Sequence, residues 1–117
     1  MTHYTEHDVL FVESIQRLQR RVYHTAETHG FWDDALPNQA EKIALMHSEL
    51  SEALEAIRHG NPPDSHVPEF SGVEAELADC VIRILDFAQR YDLRLAEAIV
   101  AKDAYNQTRS FKHGKTC

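Results

Sequence analysis

Apolar residues recur along the chain at helical spacings, in four separate segments. In the first, Phe11, Ile15, Leu18, Val22 and Ala26 follow at steps of four and three, a single stripe on one helix. Thr5, with Asp8 three residues on, opens that helix as a capping box, and Gly30 closes it. Arg17, Arg20 and Arg21 lie off the stripe and read as solvated. A second helix begins at Asn38, after Pro37 and with Glu41 at the capping-box position, and ends at Arg58-His59-Gly60. Its core stripe is Ile43, Met46, Leu50, Leu54 and Ile57, with His47 packed at the edge. Glu49 and Glu52 fall away from that stripe, on a mixed face shared with Leu45 and Ala56. Such a face suits a helix that also lines a site or meets another chain.

Ser71 with Glu74 caps a third helix. At about 100° per residue, Leu77, Cys80, Val81, Ile82, Ile84, Leu85, Phe87, Ala88 and Tyr91 cover well over half its circumference. Its polar residues Glu76, Asp79, Arg83, Asp86 and Arg90 share a strip only about 80° wide. A helix apolar nearly all round is buried, so the strip faces a cleft or a partner. A fourth helix runs from about Leu93 to Gln107 with Asp92 as its N-cap. Leu93, Ala96 and Val100 form one of its faces; Leu95, Ile99, Lys102 and Asn106 form another, with Arg109 a further turn on. Asn61 to Phe70, with three prolines, reads as a mobile or functional loop. Phe31-Trp32 sits in a short loop, either as a lid on the core or as a stacking surface for a planar ligand. These elements predict one all-α domain over residues 1–117, a four-helix bundle whose mixed faces call for completion by further copies of the chain.

Glu49 with Glu52, and Glu76 with Asp79, each place two carboxylates three residues apart on one helical face. Either pair alone is an ordinary solvated face, with Asp79–Arg83 and Asp86–Arg90 as i,i+4 pairs. If the two helices face each other, four carboxylates converge and need a cation. Oxygen-only clusters suit hard divalent ions, Mg²⁺ above all.

Composition narrows the partners. A net charge of −7 argues against sequence-independent nucleic-acid binding. No apolar run approaches the about 20 residues that span a bilayer. Cys80 and Cys117 are isolated thiols and the first residues lack a signal-peptide pattern, so a reducing cytoplasm is expected. There is no Glu-x-x-His, His-Glu-x-x-His, Cys-x-x-Cys or glycine-rich phosphate loop. Phosphate chemistry, if present, falls to a metal and side chains.

Glu49-x-x-Glu52, a spacer and Glu76-x-x-Asp79 resemble the metal signature of the all-α nucleoside triphosphate pyrophosphohydrolases, the MazG-like family. His47 to Ala53, Glu76 to Arg83, Lys102-x-x-Tyr105-Asn106-x-Thr108-Arg109, Gly30-Phe31-Trp32 and the basic ending to Gly114 are together similar to its small single-domain branch. The resemblance implies a bundle assembled as a homodimer or homotetramer, with Mg²⁺ (or Mn²⁺ in its place) on Glu49, Glu52, Glu76 and Asp79 as the metal and catalytic set. It implies cleavage of a (deoxy)nucleoside triphosphate between the α- and β-phosphates to monophosphate and pyrophosphate, in nucleotide-pool housekeeping. Lys102 and Arg109 would balance phosphate charge, Asn106 would donate to a phosphate or sugar oxygen, Tyr105 would pack on the sugar, and Trp32 would be a platform for the base. The chain departs from many relatives at Ser48, where they carry a further Glu, which leaves metal number and substrate preference open. The contrasting expectation is a catalytically idle helical dimer that binds a nucleotide or a protein.

Overall fold

The computed structural model describes residues 4–34 and 38–109; Pro37 and the basic tail from Ser110 lie outside them. The described residues form four helices, α1 (Glu6–Thr28), α2 (Gln39–Arg58), α3 (Gly72–Arg90) and α4 (Leu95–Gln107), and no strand. Capping decides most boundaries as the sequence predicts. Thr5 and Asp8 close a reciprocal capping box on α1, and Ser71 and Glu74 close another on α3. Asn38 accepts from the Glu41 N–H at the start of α2. Gly30 and Gly60 sit at φ +87° and +80° just past the ends of α1 and α2, in the left-handed region that glycine enters without steric cost.

One loop expectation is corrected, and of the two readings of another, mobile or functional, the first is removed. Asp92 is not an N-cap: at φ +53° it ends α3, and the Leu93 N–H turns back to the Ala88 carbonyl at 2.8 Å. α4 then starts from Arg94 without a side-chain cap. The proline-rich loop is tied down rather than loose. The Asp64 carboxylate accepts from the N–H groups of His66 and Val67, both at 2.9 Å, and Gly72 N–H reaches the Pro62 carbonyl at 2.8 Å.

α3 is the central helix, packed on one side against α2 and on the other against α1, while α4 rests on α1. The α1–α3 contact is partly polar: buried Gln19 donates to Gln89 at 3.4 Å. The α2–α3 contact is close because small residues meet there. A Cβ at Gly72 would lie 3.1 Å from Ala56 Cβ, and Ala53 is buried on the same face of α2.

That packing turns α2 away from its expected orientation and keeps only Met46 of the predicted core stripe buried. Met46, Glu49 and Ala53 face inward, whereas Ile43, Leu50, Leu54 and Ile57 are exposed, Ile57 by 59%. His47 is exposed on the same outward stripe. The larger apolar residues lost to the smaller ones because the helices approach most closely where side chains are short. Leu77, Val81 and Ile82 of α3 are also exposed. The chain is correspondingly open, with a radius of gyration of 16.7 Å, against about 13 Å for a compact domain of this length. No helix among the described residues is long and apolar enough to cross a membrane.

Trp32 is the largest member of the core at 6% exposure. Its Nε1 donates to Asp86 Oδ1 at 2.9 Å, Lys42 Nζ lies 4.6 Å from the ring centroid and Arg90 Cζ 5.0 Å. Tyr91 meets it edge-on at 6.0 Å. Of the two expectations for this aromatic, the lid on the core describes its position. Trp32→Ala is expected to lower unfolding free energy by about 3–5 kcal/mol, through the cavity and the Asp86 carboxyl left without its donor. Phe31→Ala, at a half-exposed position, should cost less than about 1 kcal/mol. Urea denaturation of the two variants checks the contrast; equal stability would remove Trp32 from the core account.

Candidate metal centre

The inward face of α2 and the polar strip of α3 meet at their carboxylates. Glu49, Glu76 and Asp79 each offer an oxygen within 4.8 Å of the others, and the three form a group that could hold a metal ion. Glu49 is 7% exposed. Glu76 Oε2 is buried and has no hydrogen-bond partner among the described residues. A buried acceptor without a donor is costly unless a cation or proton satisfies it. The donor set is all oxygen, which fits a hard divalent cation and offers nothing to a thiophilic one. Glu52 stands outside this group of three, with its carboxyl near those of Glu76 and Glu49. Ser48, by contrast, turns back to its own helix and donates to the Leu45 carbonyl at 2.6 Å.

The electrostatics follow from this crowding. Burial, then Glu52 and Glu49, push the Glu76 carboxyl up to about 8. Partial burial and the Glu49 charge raise Asp79, with Asp64 adding to the repulsion and Arg83 opposing it. Burial also raises Glu49, but hydrogen bonds from Arg83 and with Glu76 outweigh it and leave this carboxyl below its ordinary value. Burial raises Asp86, and the Trp32 N–H with the Lys42, Arg83 and Arg90 charges offsets only part of that.

The expected i,i+4 pairs on α3 are replaced by contacts across elements. Arg83 Nε donates to Glu49 Oε1 of α2 at 2.8 Å instead of pairing with Asp79. Arg90 donates to the Tyr23 hydroxyl at 2.9 Å, and Asp86 takes the Trp32 indole.

A groove of about 1000 Å³ opens between α1 and α3 and reaches the acids. Leu18, Val22 and Ala26 of α1 and Leu77, Val81 and Ile82 of α3 make most of it apolar; Arg21, Thr25 and His29 of α1, with Glu49, Asp79, Arg83 and Asp86, supply its polar part. That is ligand-sized and mostly apolar at its surface, as binding clefts are. Phe31 lines the groove and Trp32 does not.

The α4 residues gather among themselves. Lys102 Nζ and the Arg109 guanidinium lie 5.3 and 5.6 Å from the Tyr105 ring centroid. Asn106 Oδ1 is buried with no hydrogen-bond partner among the described residues. None of these four lines the groove. Sequence spacing thus brings together the acids of α2 and α3, and separately the cations of α4. It missed Arg83 as a partner of Glu49 and Asp64 as a neighbour of Asp79; Ala53 and Ala56, a small-residue face on α2, were the signal for the first. No protein-family model matches the chain, and neither curated proteins nor solved structures give a match.

The sign of one pH effect is fixed by Glu76. Its folded value, about 8, exceeds the ordinary 4.5, so the folded state binds a proton that the unfolded state releases first. Its contribution is fully present below pH 4.5 and is lost as pH rises through about 8. The metal-free protein should therefore melt at lower temperature at pH 8 than at pH 5.5, and Glu76→Gln should flatten that slope. A slope unchanged in the variant would contradict the assignment.

Proposed function

We propose that the chain is a Mg²⁺-dependent, MazG-like nucleoside triphosphate pyrophosphohydrolase that cuts between the α- and β-phosphates and works as a homodimer or homotetramer. The observation that carries the reading is the convergence of Glu49, Glu76 and Asp79, from two helices, within 4.8 Å, around a buried Glu76 oxygen that has no donor among the described residues. Such a cluster is unfavourable for a fold and is useful where triphosphate charge must be met by a metal. When bound, Mg²⁺ supplies Lewis-acid polarisation of the phosphate oxygens, and Mn²⁺ can replace it.

The chain's own groups divide the remaining work. Glu49, Glu76 and Asp79 would hold the cation, and Glu52, beside them but outside the trio, would orient the attacking water. The apolar groove takes the nucleoside, with Phe31 as the aromatic open to it. Lys102, Asn106 and Arg109 serve the phosphates and Tyr105 the sugar. Because α4 rests on α1 and this cluster lies off the groove, assembly of copies is what brings it to the phosphates. The outward stripe Ile43, Leu50, Leu54 and Ile57 supports such an assembly, since it is an apolar face that a single chain leaves in water.

A panel of ribo- and deoxyribonucleoside triphosphates, incubated with Mg²⁺ or with EDTA, tests the reading. Monophosphate and pyrophosphate should appear from at least one member only with Mg²⁺. Asp79→Asn should lower turnover by a factor of about 100 or more while the protein stays folded. Light scattering on the same material should give a dimer or tetramer. Silence across the panel from folded protein would leave the idle binding module; an active monomer would remove the assembly.

A further inference from the structure

Arg83 is unexplained by a site made of acids and a metal. It lies on the polar strip of α3, one turn beyond Asp79, and donates through Nε to Glu49 Oε1 at 2.8 Å. Its acceptor is nearly enclosed, at 9% side-chain exposure, whereas Arg83 itself is 30% exposed. It lines the large groove and also the small recess beneath Phe31, Trp32 and Lys42. Glu49 therefore answers to two cations, because the same carboxylate belongs to the trio that could take a metal.

Two positive charges on one carboxylate repel, and a divalent ion in the trio would sit within a few ångströms of the guanidinium. Arg83 also keeps four N–H donors beyond the Nε–H used on Glu49, in a planar fork that matches phosphate oxygens. A surface lysine in its place would offer the charge without the fork.

We propose that Arg83 is an exchangeable counter-ion: it neutralises Glu49 while no divalent cation is bound, and turns to a phosphate of the substrate when the cation engages Glu49. The inference rests on the reading of the acids as a metal site for phosphate chemistry and adds a substrate-binding residue to it. It accounts for why the partner of Arg83 lies on another helix rather than one turn away at Asp79. It also makes cation and substrate mutually supporting, since each removes a competitor of the other.

The test compares wild type, Arg83→Met and Arg83→Lys, with folding checked by circular dichroism. Mn²⁺ alone is titrated by electron paramagnetic resonance at pH 8.5, then inorganic tripolyphosphate is titrated into the Mn²⁺-loaded proteins. Arg83→Met should bind Mn²⁺ about tenfold or more tighter than wild type, because the competing charge is gone. Arg83→Lys should bind Mn²⁺ much as wild type does. Both variants should bind tripolyphosphate at least about tenfold more weakly. If Arg83→Met binds Mn²⁺ no tighter, or tripolyphosphate affinity is unchanged in both variants, the exchange is wrong and Arg83 is a fixed structural ion pair. If Arg83→Met does not fold, an unchanged tripolyphosphate affinity in Arg83→Lys still overturns the proposal. Wild type that binds no Mn²⁺ would overturn both this inference and the metal reading beneath it.

Discussion

The structure turns on one buried carboxylate. Glu49 sits at the α2–α3 contact with little access to water, where an unpaired charge would cost several kcal/mol. Its charge is met by Arg83 from the facing helix, while burial, Glu52 and Glu49 push the neighbouring Glu76 carboxyl well above the usual range. Close approach of the two helices makes this possible. Ala53, Ala56 and Gly72 keep side chains short where the helices meet, so acids separated in sequence by more than twenty residues share one small volume. A fold optimised for stability would have put an aliphatic residue at this position. Keeping Glu49, Glu76 and Asp79 together there is the kind of local conflict that proteins retain at sites of function.

The same choice leaves the larger apolar residues elsewhere. With α2 turned so that Glu49 points in, Ile43, Leu50, Leu54 and Ile57 point out. With α3 presenting its polar strip toward α2, Leu77, Val81 and Ile82 fall along the groove shared with α1. The groove and the α2 stripe thus follow from the orientation that assembles the acids. One offers an apolar bed for a ligand, and the other a surface that an oligomer would cover.

Much of this was legible in the sequence for simple reasons. Helix ends were read from side chains that satisfy backbone groups locally, and Thr5, Asn38, Ser71, Gly30 and Gly60 all act where they stand. The spacing of the acids gives each helix a carboxylate face, and the packing of α2 on α3 meets the condition under which Glu49, Glu76 and Asp79 converge. The orientation of α2 was not legible, because a helix with a leucine stripe on one side and small residues on the other buries whichever face its neighbour fits. Asp92 misled for a related reason: aspartate serves both as an N-cap and, tolerating positive φ, as the end of the preceding helix. Spacing offers Arg83 a local i,i+4 partner in Asp79, whereas burial of Glu49 gives the tertiary pair the stronger claim on it. Trp32 was recognised as either core or platform, and only the positions of Asp86, Lys42 and Arg90 around the indole separate those roles.

The most direct measurement is calorimetric titration of Mg²⁺ into the metal-free protein at pH 7, repeated in buffers of different ionisation enthalpy. A cation that takes the trio must displace the proton that Glu76 holds at this pH. The account predicts saturable binding that releases about one proton per site, with the release lost in Glu76→Gln. Absence of saturable binding would contradict the central claim that these acids form a cation site, whereas binding whose heat is independent of the buffer would contradict the proton assigned to Glu76.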